Sequence, residues 1–164
     1  LLDIMRAKQA EILQSIWKER KNDLPINNKR ELLILASIIE KEAASVSEMP
    51  VVSSVFLNRL KIGMRLQSDP TVSYGMDLGN INDRVPLKRS DLKLLNPHNT
   101  YKVNGLPISA ICNPGRSAIR AAANPAETKF LYFVMSKTGH HIFAENFEDH
   151  KSNVTRWRKF KEKR

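Results

Sequence analysis

The run Leu32-Leu33-Ile34-Leu35-Ala36-Ser37-Ile38-Ile39-Glu40-Lys41-Glu42 constrains the fold of this chain more than any other segment. Its leucines, isoleucines and alanine suit a helix, and the burial of apolar surface drives such a helix inside. The run ends in two glutamates split by a lysine, and an ionised carboxylate resists burial. A glutamate at the lip of a buried helix therefore meets an apolar wall. Its pKa rises, and it can hold a proton near neutrality. That is the property of a general acid. The plainer reading is a core helix whose end reaches solvent.

Helical geometry separates the two carboxylates. At roughly 100° per residue, Glu40 and Glu42 lie about 200° apart and cannot share one site as an acid/base pair. Glu42 falls on the stripe of Leu35, Ile38 and Ile39, whereas Glu40 sits with Leu33 and Ala36. Glu42 is thus the candidate catalytic acid and Glu40 the alternative.

The remaining elements frame this helix. Residues 1–20 carry Leu2, Met5, Gln9, Ile12 and Ile16 on one stripe, which predicts an amphipathic helix. Asn28 with Glu31 resembles a capping box that opens the central helix, which should run to about Ala44. Glu48-Met49-Pro50 begins another helix, with Gly63 as its stop and Val52, Val55, Phe56 and Leu60 as its buried face. Residues 64–114 lose periodicity and read as long loops with short helices, a pattern associated with function. Residues 117–123 are Ala-rich and helical. Residues 130–135 and 141–144 flank Lys137-Thr138-Gly139 as a β-hairpin. Val154, Trp157 and Phe160 predict a terminal amphipathic helix with a basic face. The class is α+β, mostly helical, as one domain over 1–164: a helix and linker at 1–27, then a core at 28–164.

Charge and histidines narrow the function classes. The net charge of +10 implies anionic surroundings such as nucleic acid, lipid headgroups or an acidic polymer. A basic nucleic-acid-binding module is the alternative function. The chain nevertheless lacks helix-turn-helix, RRM and zinc-finger signatures, so nucleic acid is not expected as a partner. Cys112 is the single cysteine, which excludes an internal disulfide. His98, His140, His141 and His150 show no HExxH-like spacing, and His140 and His141, adjacent in a strand, should point to opposite faces. Neither metal nor cofactor is expected. No segment is long and apolar enough to span a bilayer, and the start at Leu1 suggests a piece of a longer protein.

The loop region is rich in sugar-binding chemistry, from Met64-Arg65-Leu66-Gln67-Ser68-Asp69-Pro70-Thr71 through Tyr74-Gly75 to Asn99-Thr100-Tyr101. Together with Leu35-Ala36-Ser37-Ile38-Ile39-Glu40-Lys41-Glu42 and Val55-Phe56-Leu57-Asn58-Arg59-Leu60, these motifs closely resemble the endolytic murein transglycosylase (YceG-like) family. Gly105-Leu106-Pro107, Pro114-Gly115, Ala121-Ala122-Ala123-Asn124-Pro125-Ala126 and Leu131-Tyr132-Phe133-Val134 continue the resemblance in order, over residues 30–164. It implies a lyase that cleaves the bond between N-acetylmuramic acid (MurNAc) and N-acetylglucosamine (GlcNAc) in nascent peptidoglycan, leaving a 1,6-anhydro end and limiting strand length. The family's catalytic glutamate aligns with Glu42. Gln67, Asp69, Thr71, Tyr74, Asn99 and Tyr101 fall in family motifs as candidate substrate-binding residues. Asn113 stands where relatives carry Thr and receives no role. The resemblance also implies a single-pass anchor in the bacterial inner membrane, outside this chain together with a LysM-like domain. The catalytic part would face the periplasmic or extracytoplasmic side, with glycan strands as substrate and cell-wall synthases as candidate partners.

Overall fold

A computed structural model describes residues 2–76 and 86–162. Leu1, residues 77–85 of the loop-rich stretch, Lys163 and Arg164 lie outside the described residues. The elements run α1 (Leu2–Lys18), α2 (Lys29–Glu42), α3 (Met49–Lys61), α4 (Asp69–Met76), α5 (Arg116–Ala123), β1 (Tyr132–Met135), β2 (His141–Ala144) and α6 (Phe147–Glu162). Single 3₁₀ turns occupy Val46–Glu48 and Asp91–Lys93. The α+β, mostly helical class is the one the periodicities predict.

Helix α2 is the pillar of the core. Leu32, Leu35, Ala36, Ile38 and Ile39 are wholly inaccessible to solvent, and burial of each large side chain contributes roughly 1.5–3 kcal/mol. Ile34 and Ser37 are buried too, so the helix is enclosed on almost every side rather than along one stripe. Its start follows the predicted cap with one displacement. Asn28 Oδ1 accepts the Glu31 backbone N–H at 2.9 Å, while Glu31 reaches back to the N–H of Asn27, one residue earlier than a standard box. Ser37 bridges outward, donating to the Ile34 carbonyl and accepting the Ile111 N–H at 3.0 Å. The Cys112 thiol donates to the Ser37 carbonyl.

The neighbours of α2 fit because they are small or correctly ended. Ala118, Ala121, Ala122 and Ala123 bring α5 against it without bulk. Helix α3 ends in a Schellman turn: Gly63, at φ 68°, donates to Leu60, and Met64 donates to Arg59 at 2.8 Å. Helix α1 departs from its predicted stripe. Ile16 is buried and Ile12 packs on the core, but Met5 is exposed, because only the C-terminal half of α1 meets the core.

The hairpin is antiparallel, with Tyr132 opposite Ala144 and Met135 opposite His141. Its turn spans 136–140, with Gly139 at φ 80°. Two residues of α3 fix the segment that leads into it. Asn58 Nδ2 donates to the carbonyls of Thr128 and Phe130, and Arg59 Nε donates to that of Leu131 at 2.7 Å. Phe133 then meets Phe56 edge-on at 5.8 Å. The hairpin thus stands beside the C-terminal end of α2, where Glu42 emerges.

Candidate active site

Glu42, Arg59, Leu66, Gln67, Asp69, Tyr101, Tyr132, Phe133, Phe147 and His150 line one cleft. Its floor is the last residue of α2 with Arg59 and Leu66. One wall is the polar loop after α3, and the other is aromatic, from the hairpin and the start of α6. A second, larger groove around Lys21, Asn58 and Lys129 contains none of the candidate site residues.

Burial pushes the Glu42 carboxyl from an ordinary 4.5 up to about 7, and the neighbouring Asp69 charge adds to the rise. The Ser68 hydroxyl and the Arg59 guanidinium act the other way without cancelling it. Ser68 Oγ donates to Glu42 Oε1 at 2.6 Å. That contact depends on Gln67, which adopts φ 51°, a left-handed conformation that costs a non-glycine residue of order 1 kcal/mol. The strain is held by Thr100, whose carbonyl accepts the Gln67 N–H and whose hydroxyl accepts the Ser68 N–H. The kink directs Ser68 inward and leaves Gln67 exposed at the cleft.

On the polar wall, the Tyr101 hydroxyl donates to Asp69 Oδ1 at 2.6 Å. Burial first, then that hydrogen bond to an anion, raises the phenol's pKa, so Tyr101 stays protonated. On the floor, Arg59 is 7% exposed. Its Nη1 donates to the Leu66 carbonyl at 2.6 Å, so one guanidinium ties both walls to α3. On the aromatic wall, His150 stacks on Tyr132 with ring centroids 5.1 Å apart. Burial, aided by Arg59, lowers the pKa of His150 and keeps its imidazole neutral. The buried Nδ1 of His150 has no hydrogen-bond partner among the described residues.

The candidates from sequence separate into two groups. Glu42, Gln67, Asp69 and Tyr101 meet in the cleft. Thr71 and Asn99 do not, because both are buried: Thr71 Oγ1 bonds Ser68 and Thr100, and Asn99 Nδ2 donates to Leu92 and Leu94. They shape the loop from behind. Tyr74 lies outside the cleft as well, edge-on to His98 at 4.9 Å. Glu40 occupies the opposite flank of α2, where its Oε2 accepts the Gly115 N–H at the start of α5. A carboxylate there suits the positive end of a helix. Asn113 hydrogen-bonds the side chain of Gln9.

The histidines correct one expectation. His140 and His141 do not diverge: both Nδ1 atoms reach the Glu48 carboxylate, at 3.1 and 2.8 Å. His140 belongs to the turn, so strand alternation does not govern it. Among the described residues no group of three or more His, Cys, Asp or Glu side chains could hold a metal ion. Arg59, Ser68, Tyr132 and Phe147 were not among the candidate site residues, and His150 was weighed only as a metal ligand. Ser68 had a signal, lying inside the Gln67-Ser68-Asp69 motif, but the aromatic wall had none that distinguished it from core.

Known proteins resemble this chain in sequence, and a solved structure resembles it in fold. A family model described as the YceG-like family matches residues 1–156. The endolytic murein transglycosylase of Bacillus subtilis (strain 168) is 39% identical over 154 residues, covering 92% of this chain and 41% of that protein. That of Streptococcus pneumoniae serotype 2 (strain D39 / NCTC 7466) is 33% identical over 159 residues, covering 94% of this chain and 28% of that protein. A crystal structure of a yceG-like protein from Listeria monocytogenes superposes with a TM-score of 0.73 at 36% identity, covering 92% of this chain and 45% of that one. The chain spans less than half the length of these relatives. A match along nearly its whole length, in sequence and in fold, makes this chain a member of the YceG-like family.

Proposed function

We propose that this domain is the catalytic part of an endolytic peptidoglycan lytic transglycosylase, with Glu42 as its acid. The observation that carries the reading is a single carboxyl held at about pH 7 on the floor of a cleft with one polar and one aromatic wall. The names of the curated relatives support the substrate class. Gln67, Asp69 and Tyr101 offer hydrogen bonds to hydroxyl and amide groups, and the exposed Phe147 offers an aromatic surface to sugar rings.

The steps follow from the proton. Protonated Glu42 delivers its hydrogen to the oxygen that links MurNAc to GlcNAc, and the C1–O bond breaks with its electron pair leaving on that oxygen. Positive charge develops at C1 beside Asp69, whose negative charge stabilises it. Ionised Glu42 then takes the proton of the C6 hydroxyl of the same MurNAc, and O6 closes on C1 as a 1,6-anhydro ring. The nucleophile is intramolecular, which replaces several kcal/mol of catalytic work otherwise spent on orienting water. Ser68 holds Oε1 and leaves Oε2 for the substrate.

Asp69 is the second carboxylate a hydrolase would use. Its engagement by Tyr101 favours an electrostatic role over activation of water. Mass spectrometry of products from uncrosslinked peptidoglycan separates the two chemistries. Anhydro-MurNAc ends are expected, and reducing ends would overturn the reading. No feature of the cleft supports the nucleic-acid alternative.

In the same reading, the domain works outside the cytoplasmic membrane, tethered by a segment of the longer protein. No helix among the described residues is long and apolar enough to cross a membrane. An extracytoplasmic reporter fused to the full-length protein checks this placement.

A further inference from the structure

We propose that Glu48 is a positioning residue for this site: its carboxylate clasps the chain just beyond Glu42 to the hairpin and so fixes the Phe133 wall of the cleft. Both carboxylate oxygens are used. Oε2 accepts the Ala44 N–H at 3.3 Å, two residues past Glu42, and lies 2.8 Å from His141 Nδ1. Oε1 accepts the His141 N–H at 2.9 Å and lies 3.1 Å from His140 Nδ1. The Glu48 and His141 side chains are 11% and 7% exposed, whereas Ala44 and His140 lie at the surface, so the Glu48–His141 pair is the protected part of the clasp. The His141 ring meets Phe133 edge-on at 5.0 Å, and Phe133 lines the cleft with Glu42.

In this proposal the Phe133 wall, which lines the same cleft, helps to keep water from the Glu42 carboxyl. Burial alone disfavours the Glu48 charge, yet the hydrogen bonds from His141 and Ala44 hold that carboxyl below its usual range. The clasp is therefore a charged, fully engaged tie at neutral pH. The charged and titratable groups facing Glu42 are Asp69, Arg59, Tyr101 and His150. None belongs to the clasp, so a change in Glu42 titration on cutting the clasp reads the position of the wall.

This inference rests on Glu42 being the working acid, but its test does not need turnover. Carboxyl ¹³C NMR of the domain gives the Glu42 midpoint directly, assigned by its loss in Glu42→Gln. In Glu48→Gln, which keeps the shape and removes the charge, the midpoint is expected to fall by about one unit as water reaches the carboxyl. His141→Ala is expected to reproduce that fall. His140→Ala is expected to leave it in place, since that side chain is 63% exposed. On peptidoglycan, Glu48→Gln is expected to lower kcat roughly tenfold with little change in KM, as for a displaced reacting group. A wild-type midpoint retained in folded Glu48→Gln or His141→Ala would overturn the clasp. An inactive wild type, with the midpoint still lowered in Glu48→Gln and His141→Ala, would overturn the transglycosylase reading and leave the clasp standing.

Discussion

Glu42 holds its proton near neutrality for a local reason, which makes its titration a sharp readout. In the proposed mechanism the acid form performs bond cleavage, so kcat/KM is expected to fall as pH rises through about 7. Ser68 opposes the rise by hydrogen-bonding the ionised form. Ser68→Ala should therefore shift that limb to higher pH by about one unit, and a pH–rate profile of both proteins checks it. The same shift affects stability. Because the folded-state pKa lies above the unfolded one, charging Glu42 penalises the native state above pH 7, and the penalty vanishes below about 4.5. Glu42→Gln should thus be more stable than wild type at pH 8 by about 3 kcal/mol, or roughly 6–12 °C in Tm. The gap should close by pH 4.5, as thermal melts at both pH values will show. At this scale the sequence was informative where periodicity applied, separating Glu42 from Glu40. It was silent where partners are distant: Ser68 is 26 positions from Glu42, and Tyr101 is 32 from Asp69. Thr71 and Asn99 look like cleft residues in sequence, since a polar loop side chain reads the same whether it faces ligand or backbone.

Helix α3 does more for the site than its composition announces. Its apolar face was legible from Val52, Val55 and Phe56. The interior roles of Asn58 and Arg59 were not, because they bond to carbonyls some 70 residues later. Arg59→Met would leave the Leu66 and Leu131 carbonyls unpaired inside the fold. Each unpaired buried group costs about 1–3 kcal/mol, so a loss near 3 kcal/mol is expected by urea unfolding. The hairpin was legible as two apolar segments around a Gly-containing turn. Its aromatic residues divide between core and cleft according to where α6 packs, which local pattern does not encode. The exposed half of α1 follows the same logic: its stripe is real, but only the part that meets a partner is buried.

Across the whole molecule, the +10 charge suits the anionic glycan strand proposed as substrate. If the charge acts by steering, kcat/KM on peptidoglycan should fall several-fold between about 0.05 and 0.5 M salt while kcat stays constant. A parallel fall in kcat would instead place salt sensitivity inside the site. The central claim, that one buried carboxyl performs both proton transfers, is tested most directly by product analysis of three proteins on uncrosslinked peptidoglycan. Wild type and Asp69→Asn are expected to release anhydro-MurNAc ends, the latter more slowly, and folded Glu42→Gln none. Anhydro ends from Glu42→Gln at near wild-type rate would contradict it.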